Sequence, residues 1–564
     1  MKNTIKILAL VLALVMVLSL AACGGSGDGS AADNSGAADN TGAQPQGGGN
    51  GTGGATAEDL GVEVGTGDTL NIGFYLNEVL IGSFDPTGAF SHGVCWGIVY
   101  MMYDLPLMTT ANGLDSRIFS DYGWMEDNLT FYGTIKDGVC FNNGDPMTPE
   151  DIIYSFKILE DGGSFMWNWY KFIDFENSYG DGQTLYLKCL HEYAAAESYI
   201  NVAILNKDVM EARLDAVNRD FTAIDPYAID FTDGICSGPY KCTESVTESY
   251  ATYVLRDDWW GYEEYGAPMA SVINGYYYGD QTTMGIDIQN GKIDLALNAA
   301  MTDAERAFNG EYGDVKLGTS DQNGVYVYTF SEANADLKDL NLRKAIASCV
   351  NAEEIATVAM SFLAQPVDCY FAPKTEGYIA GCAYPYDVDA AKAYLAASDH
   401  PNGATLNAYS QTEAMQQTIL EMMQFYCQEL NIELNLNFVD AQSMGTYQAQ
   451  GGVDLMVGSN GGMGNPAALA WSQINNFDNA QYPDTDFTGR TDLMELYNNA
   501  KYSNDFDYRV EQYHAIAQYF YENCIKVPLF ESVQTYLYNG TIVDNDNSFI
   551  AGFVSVDPTL IALF

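Results

Sequence analysis

Basic residues are scarce in this chain. Lys and Arg number 24 against 75 Asp and Glu, for a formal charge of −51 at neutral pH. A surface so rich in carboxylates repels phosphate backbones and anionic lipid headgroups, so no nucleic acid partner is expected. The same charge keeps the chain soluble and implies at most a slight preference for cationic ligands. Histidine is scarcer still. His92, His191, His400 and His514 stand far apart with neither HxH nor HExxH spacing, so no metal site is indicated and no cofactor is expected. The eleven cysteines include no CxxC pair, which argues against a zinc ribbon and a small disulfide scaffold. Cys236 with Cys242, and Cys369 with Cys382, are spaced to close short disulfide loops; buried free thiols are the equal alternative. Neither a GxxxxGK[ST] phosphate loop nor a GxSxG nucleophile elbow occurs, and the chain is read as a binder, not an enzyme. Asp544-Asn545-Asp546-Asn547-Ser548 opens like a calcium loop. Phe549 stands where that loop needs Gly, and Ser555 where it needs a bidentate Glu, so the stretch is read as a solvated turn.

What is present begins at the N-terminus. Lys2 and Lys6 precede an almost unbroken apolar run over residues 7–20, which ends in Leu20-Ala21-Ala22-Cys23. The run suits the apolar core of an export signal and is short for a spanning helix; an uncleaved N-terminal anchor is the alternative. The small residues before Cys23, with Gly24-Gly25-Ser26 directly after it, resemble the lipobox of bacterial lipoproteins. That resemblance implies a diacylglyceryl group on the Cys23 thiol, two acyl chains being enough for stable anchoring. Residues 24–58 contain no Leu, Ile, Val or aromatic residue. Such a stretch buries no apolar surface and is expected to be a disordered tether. As a flexible coil of roughly 35 residues it would span about 30–35 Å.

No second long apolar segment follows Asp59. A body of roughly 500 residues exceeds what one hydrophobic core serves, so two or more lobes are expected. Residues 69–76 and 325–330 are β-rich. Thr148-Pro149-Glu150-Asp151 reads as a helix start with Thr148 as N-cap and Asp151 three residues on, followed by Ile152, Phe156 and Leu159 on one face. Ile419, Met422, Met423, Tyr426 and Leu430 mark a second amphipathic helix. It leads into alternation at Ile432, Leu434, Leu436 and Phe438, and then an apolar strand at 453–457. Helix followed by strands in this way predicts an α/β lobe with a partly parallel sheet. The 40 tyrosines suit an aromatic-rich cleft between lobes, since Tyr joins an apolar face to a polar tip.

Eight segments, in order, resemble the extracellular solute-binding proteins of ABC importers in family 5, the oligopeptide, dipeptide and nickel group. The most specific is LTFYGTIKDGVCFNNGDPMTPEDIIYSF over residues 129–156, similar to the family signature of a strand, a Lys-Asp-Gly turn and a capped helix. Ser83-Phe84-Asp85-Pro86 precedes it. Gly238-Pro239-Tyr240-Lys241, Asp257-Asp258-Trp259-Trp260-Gly261, Asn290-Gly291-Lys292-Ile293-Asp294, Leu342-Arg343-Lys344-Ala345-Ile346, Ala390-Ala391-Lys392-Ala393-Tyr394-Leu395 and Val527-Pro528-Leu529 follow. The resemblance implies a two-lobed, type II periplasmic-binding-protein-like α/β fold with an additional N-terminal subdomain. Its expected divisions are a signal peptide at 1–22, the lipidated Cys23 and tether at 23–58, and lobe I at 59–324 with the signature subdomain inserted at about 100–225. Lobe II follows at 325–525, and 526–564 return to lobe I. It further implies a monomer, anchored by lipid alone on the extracellular face of the bacterial cytoplasmic membrane. This monomer captures a small solute by lobe closure and delivers it to permease and ATPase subunits.

Peptides are the leading ligand class by family frequency. Peptide-binding members carry an Asp shortly after the strand matched by 453–457, and it pairs with the ligand's α-amino group. Here the stretch reads Gly458-Ser459-Asn460-Gly461-Gly462-Met463-Gly464-Asn465-Pro466, and Gly462 occupies the acid's place. Binding is then expected to be indifferent to N-acetylation unless another acid serves the amine. Ser459, Asn460, Gly461, Gly462 and Met463 remain candidate ligand contacts, suited also to an oligosaccharide or other uncharged solute; a connecting turn is the bland alternative. Trp167 and Trp169, just after the signature helix, are candidate aromatic contacts by the same resemblance, or core residues. A secreted glycosidase using two carboxylates and a surface adhesin are the rival classes.

Overall fold

The computed structural model describes residues 68–75, 101–110, 113–162, 170–223, 233–246, 249–266, 270–331, 334–440, 443–444, 446–447, 450, 452–460, 490–539, 542–543 and 562–563. In chain order its strands are β1 (Asp68–Tyr75), β2 (Met108–Thr110), β3 (Gly113–Asp115), β4 (Phe119–Trp124), β5 (Thr130–Ile135), β6 (Tyr179–Asp181), β7 (Thr184–Lys188), β8 (Tyr240–Val246) and β9 (Tyr250–Leu255). They continue as β10 (Ala270–Tyr278), β11 (Leu295–Leu297), β12 (Lys316–Phe330), β13 (Thr405–Gln411), β14 (Glu433–Val439), β15 (Leu455–Asn460) and β16 (Lys526–Tyr538), with short β17 (Ile542–Val543) and β18 (Ala562–Leu563). The helices are α1 (Pro149–Asp161), α2 (Lys207–Ala216), α3 (Tyr262–Tyr265), α4 (Gln281–Gln289), α5 (Met301–Phe308) and α6 (Leu340–Cys349). After them come α7 (Ala352–Met360), α8 (Val388–Ala397), α9 (Ala414–Gln428), α10 (Thr491–Lys501) and α11 (Phe506–Asn523).

Alternation decides the first strand. Leu70, Ile72 and Phe74 of β1 all point into the core, as a period of two requires. β1 runs parallel to both β10 and β11, and α4 provides the crossover between those two. The same arrangement recurs at the other end of the sheet, where β13 runs parallel to β14 and β15 and α9 crosses from β13 to β14. These units join into one ten-stranded mixed sheet in the order β14-β13-β15-β12-β16-β11-β1-β10-β9-β8. The partly parallel sheet expected from the sequence is therefore present, and so is the helix from the Ile419 pattern. Leu430 lies just beyond its end, buried with Ile432 at the turn into β14.

A separate four-stranded antiparallel sheet, β4-β5-β7-β6, holds the strand of the signature segment, β5. Lys136-Asp137-Gly138 turns after β5, with Gly138 at φ 86°, a left-handed conformation that costs glycine nothing. Thr148 caps α1 as expected. The Asp151 amide donates to Thr148 Oγ1 at 3.3 Å, and Asp151 Oδ2 accepts from the Thr148 amide at 2.9 Å. Ile152, Phe156 and Leu159 are buried below the cap. Thr148→Ala is expected to lower stability by about 1 kcal/mol, read as a shift of the urea midpoint at unchanged slope. An unshifted midpoint would mean that Asp151 holds the helix start without its partner.

The Gly238-Pro239-Tyr240 motif has a steric reason. A Cβ on Gly238 would lie 2.6 Å from the carbonyl carbon of Met102 and 2.8 Å from the amide nitrogen of Tyr103, and the Gly238 amide donates to Met102 O at 2.9 Å. Close approach of two backbones is possible only without a side chain. Next to it the fully buried Asp104 carboxylate is met on one oxygen by the charge of Arg117, Nη2 at 3.2 Å, and on the other by a hydrogen bond from Trp260 Nε1 at 3.0 Å, while the Asp104 backbone amide donates to Ser237 Oγ at 3.0 Å. A buried carboxylate is tolerated only with such partners. Trp260, the second tryptophan of Asp257-Asp258-Trp259-Trp260-Gly261, thus ties the segment before β2 to the one after β9.

The nine described cysteines after Cys95 are all free thiols, Cys236, Cys242, Cys369 and Cys382 among them. Of the two alternatives open for the short loops, the unbridged one holds in this structure. Burial pushes the Cys236 thiol up to about 12 and Cys524 likewise, which leaves them chemically quiet.

Candidate functional site

β12 and β16 are much longer than their neighbours, 15 and 13 residues, because each is paired along two different stretches of sheet. The first part of β12, Lys316 to Asp321, pairs with Tyr538 to Val533 of β16, which also borders β11. The last part, Val325 to Phe330, lies between β16 and β15. Register shifts fall between Asp321 and Gly324 and between Tyr326 and Val327. Bulges of this kind bend a strand pair and raise its local twist. The two strands therefore form a bent bridge between the parallel units at either end of the sheet.

At this bridge Tyr326 stacks on Phe530 with ring centroids 5.0 Å apart. Glu531, opposite Val325, is buried, and its amide donates to Gln365 O at 2.8 Å. Lys526, opposite Thr329, is buried beneath the ring of Tyr370, 5.3 Å from its centroid, with the Tyr370 hydroxyl at 3.4 Å. Burial lowers the Lys526 ammonium to about 8, the expected response of a cation taken out of water.

The second feature is the edge where β13, β14 and β15 end together. The three strands are parallel, with β13 in the middle, so the chain leaves β13 for β14 on one side and returns to β15 on the other. Open α/β sheets bind ligands at such a reversal, outside the carboxyl ends of the strands. Glu413 stands here, between the end of β13 and the start of α9. Its side chain makes no capping bond to the helix. Instead Gln416 Nε2 donates to Glu413 Oε2 at 2.9 Å, while Gln416 Oε1 accepts from the Gln411 amide at 3.1 Å. Burial raises the Glu413 carboxyl above its usual value, and the Gln416 bond pulls the other way.

A third surface lies where the signature sheet meets α10 and α11. Tyr193 and Tyr199 stack at 6.0 Å, and Tyr193 neighbours Tyr497, Tyr502 and Tyr513 of that helical pair. His191 meets Tyr502 edge-on at 4.9 Å. A pocket of about 270 Å³ opens beside them, lined by Trp124, Asn128, Tyr193, Ala194, Glu197 and Asn504. α11 is fixed to its own end of the sheet by Arg343, whose Nη2 and Nε donate to the Asn523 and Cys524 carbonyls at 2.8 and 3.2 Å.

Ser459 pairs with Tyr326 and Asn460 with Val325, so these two residues are brought together at the bridge and at the end of β15. Gly461, Gly462, Met463, Trp167 and Trp169 lie outside the described residues, as do Cys23, the export segment, the tether, Ser83 to Pro86 and Asp544 to Ser548. The sequence reading did not single out Glu413, Gln416, Lys526 or Glu531. The available signal for Glu413 was an acid at a strand-to-helix junction, which is weak in a chain with 75 carboxylates.

Residues 116–513 match the family model described as bacterial extracellular solute-binding proteins, family 5 Middle. The dipeptide-binding protein DppE of Bacillus subtilis is 22% identical over 311 residues; the match spans 52% of this chain and about half, 54%, of that relative. Among solved structures, the ABC transporter substrate-binding protein CtaP of Listeria monocytogenes superposes with a TM-score of 0.72 at 20% identity, over 88% of this chain and 99% of its own. The periplasmic binding protein DppA of Helicobacter pylori, in complex with the peptide STSA, gives 0.71 at 15% identity over 88% and 98%. The likeness to the solved structures establishes the two-lobed fold of type II binding proteins. The bridge strands, the mixed sheet and the signature sheet with its capped helix are thus the parts of a solute binder, and the chain belongs to family 5 of the bacterial extracellular solute-binding proteins, which are binding proteins of ABC transporters and not enzymes.

Proposed function

We propose that this chain captures peptides outside the cell and delivers them to the permease and ATPase subunits of an ABC importer. The observation that carries the reading is the two-strand bridge. Two parallel units joined through β12 and β16 alone among the described strands can bend toward each other without losing sheet hydrogen bonds. A ligand that contacts both units then shifts the equilibrium toward the closed form. In this reading lobe I comprises 59–324 with the signature subdomain at about 100–225, lobe II comprises 325–525, and 526–564 return to lobe I. Cys23 carries the lipid, residues 24–58 are the tether, and the protein works as a monomer on the outer face of the cytoplasmic membrane. Ser459, Asn460, Gly461, Gly462, Met463, Trp167 and Trp169 contact the ligand.

The test is a thermal-shift screen of the purified protein against pooled peptides of two to six residues and, separately, pooled oligosaccharides. A ligand at 100 times its dissociation constant adds about 2.7 kcal/mol of stability. A shift with peptides supports the reading. A shift with oligosaccharides alone replaces the ligand class, and no shift with either pool sinks the peptide assignment.

A further inference from the structure

We propose that Cys349 and Cys427 are a disulfide-forming site, a thiol pair whose oxidation outside the cell staples helix α6 to helix α9.

Geometry supports it first. Cys349 is the last residue of α6, and Cys427 lies in the last turn of α9. Their sulphurs stand 3.9 Å apart although 78 positions separate the two residues in the chain. Both are free thiols in this structure. A disulfide needs a sulphur separation of about 2.05 Å, so each atom has about 1 Å to travel. A modest turn about each χ1 supplies that, and no side chain has to leave. The Cys349 thiol donates to the Ile346 carbonyl at 3.3 Å. Its one proton is thereby used, so the Cys427 proton points at the Cys349 sulphur. Bonding the sulphurs removes both donors and strands no buried polar hydrogen.

The surroundings support it second. Both cysteines are buried in one apolar core with Ile346 of α6, Leu420 and Met423 of α9, and Tyr328 of β12. The Cys427 thiol is held well above its ordinary value by the contact with Cys349 and by burial. Thiolate is the attacking species, so the folded core shields the pair from oxidant and reductant alike. The bond therefore forms while the chain folds, before α9 closes over α6. Bacterial extracellular solute-binding proteins, the family of this chain, work outside the cytoplasm, where disulfides persist. The step is an exchange with a disulfide oxidant. One cysteine thiolate attacks that disulfide and expels a thiolate; the other cysteine attacks the mixed disulfide and expels the second. The chain loses two protons and two electrons, and the oxidant gains them as two thiols. Cys524 is near the same Tyr328 hydroxyl, but it makes no bond to either sulphur among the described residues. Its carbonyl is held by Arg343 Nε at 3.2 Å, and it stays a thiol.

The staple joins two parts of the fold. α6 carries Arg343, which holds the end of α11, and α9 is the crossover from β13 to β14. Joined covalently, they make this end of the sheet move as one body.

In the experiment, full-length protein is unfolded in urea with reductant and refolded by dilution into reduced and oxidised glutathione. Free thiols are capped with N-ethylmaleimide in urea without reductant, and proteolytic peptides are weighed. The expected result is the Cys349 and Cys427 peptides joined, two hydrogens below their summed mass, with Cys524 capped. The oxidised protein should melt about 5–10 °C above protein refolded in reductant, because the bond closes a long loop of the unfolded chain. Cys427→Ala should abolish that difference. The peptide masses of wild type decide by themselves, so a variant that fails to fold leaves the test intact. Capped Cys349 and Cys427 after oxidative refolding overturn the proposal, as does a bridge from either one to Cys524. A linked pair without the rise in melting overturns the staple.

Discussion

Glu376→Ala is expected to lower the unfolding free energy by about 3–5 kcal/mol. Glu376 accepts two hydrogen bonds from one edge of the Arg509 guanidinium, Nε to Oε2 at 2.7 Å and Nη2 to Oε1 at 3.0 Å, with the two side chains only 9% and 7% exposed. Removing the carboxylate leaves a buried cation with the Ser503 carbonyl at 3.0 Å, the ring of Phe506 and the weaker influence of the Asp505 charge. That is a large fraction of the stability of an ordinary domain. The loss should come from the stranded charge and not from the missing attraction, so Glu376→Leu combined with Arg509→Met should restore most of it. Urea midpoints of wild type and the two variants decide the matter. If the double variant is as weak as Glu376→Ala, the pair contributes packing and not charge balance. The consequence reaches the candidate site, because Arg509 lies on α11, the helix whose Tyr513 neighbours Tyr193 and Tyr199 beyond β7.

Lys526 produces the second large effect, with the opposite sense. Its ammonium is lowered by burial from the ordinary 10.5 to about 8. Between these values the unfolded chain holds a proton that the folded chain has lost, so ν_U exceeds ν_N and this group makes stability rise with pH. Two and a half pH intervals correspond to roughly 3 kcal/mol. Below pH 8 both states are protonated, and the folded form bears the whole cost of the buried charge. Lys526→Met removes that cost, so the variant should be more stable than wild type at pH 7 and the two should converge toward pH 10.5. Thiols held up by burial, such as Cys524 at about 12, bend both curves downward above pH 9 and cancel in the difference. Urea titrations from pH 7 to 10.5 measure that difference, and a gap independent of pH would show that the ammonium stays charged in the folded protein.

Local features were legible in the sequence. The capping box of Thr148 and Asp151 states its own geometry, and alternation at Leu70, Ile72 and Phe74 leaves no other choice for β1. The Gly of Gly238-Pro239-Tyr240 could be recognised as a motif, but its cause, the backbone of Met101 to Tyr103 crossing above it, is a contact more than 130 positions away in the chain. The length of β12 was hidden for a different reason. Its polar, glycine-bearing first part, Lys316 to Gly324, has no strand pattern of its own and is extended because β16 pairs with it. Glu413 was hidden because a lone acid acquires meaning only from strand order. Nothing within ten residues of it says that β13 lies between two parallel neighbours.

The bridge has a consequence for how the chain comes into being. β16 lies between β11 and β12, yet it is made after the other nine strands of that sheet. A nascent chain that has reached residue 525 already carries every other strand of the ten, but β11 and the first part of β12 each face an empty lane. Both are open edges, the kind of surface that invites pairing with other chains. β16 acts as a closing zip, and until it is in place the two halves of the sheet share no continuous backbone ladder. Long-range closure of this kind is slow, so the period before β16 is delivered is when this protein is most exposed to aggregation and most dependent on being kept apart from its own copies.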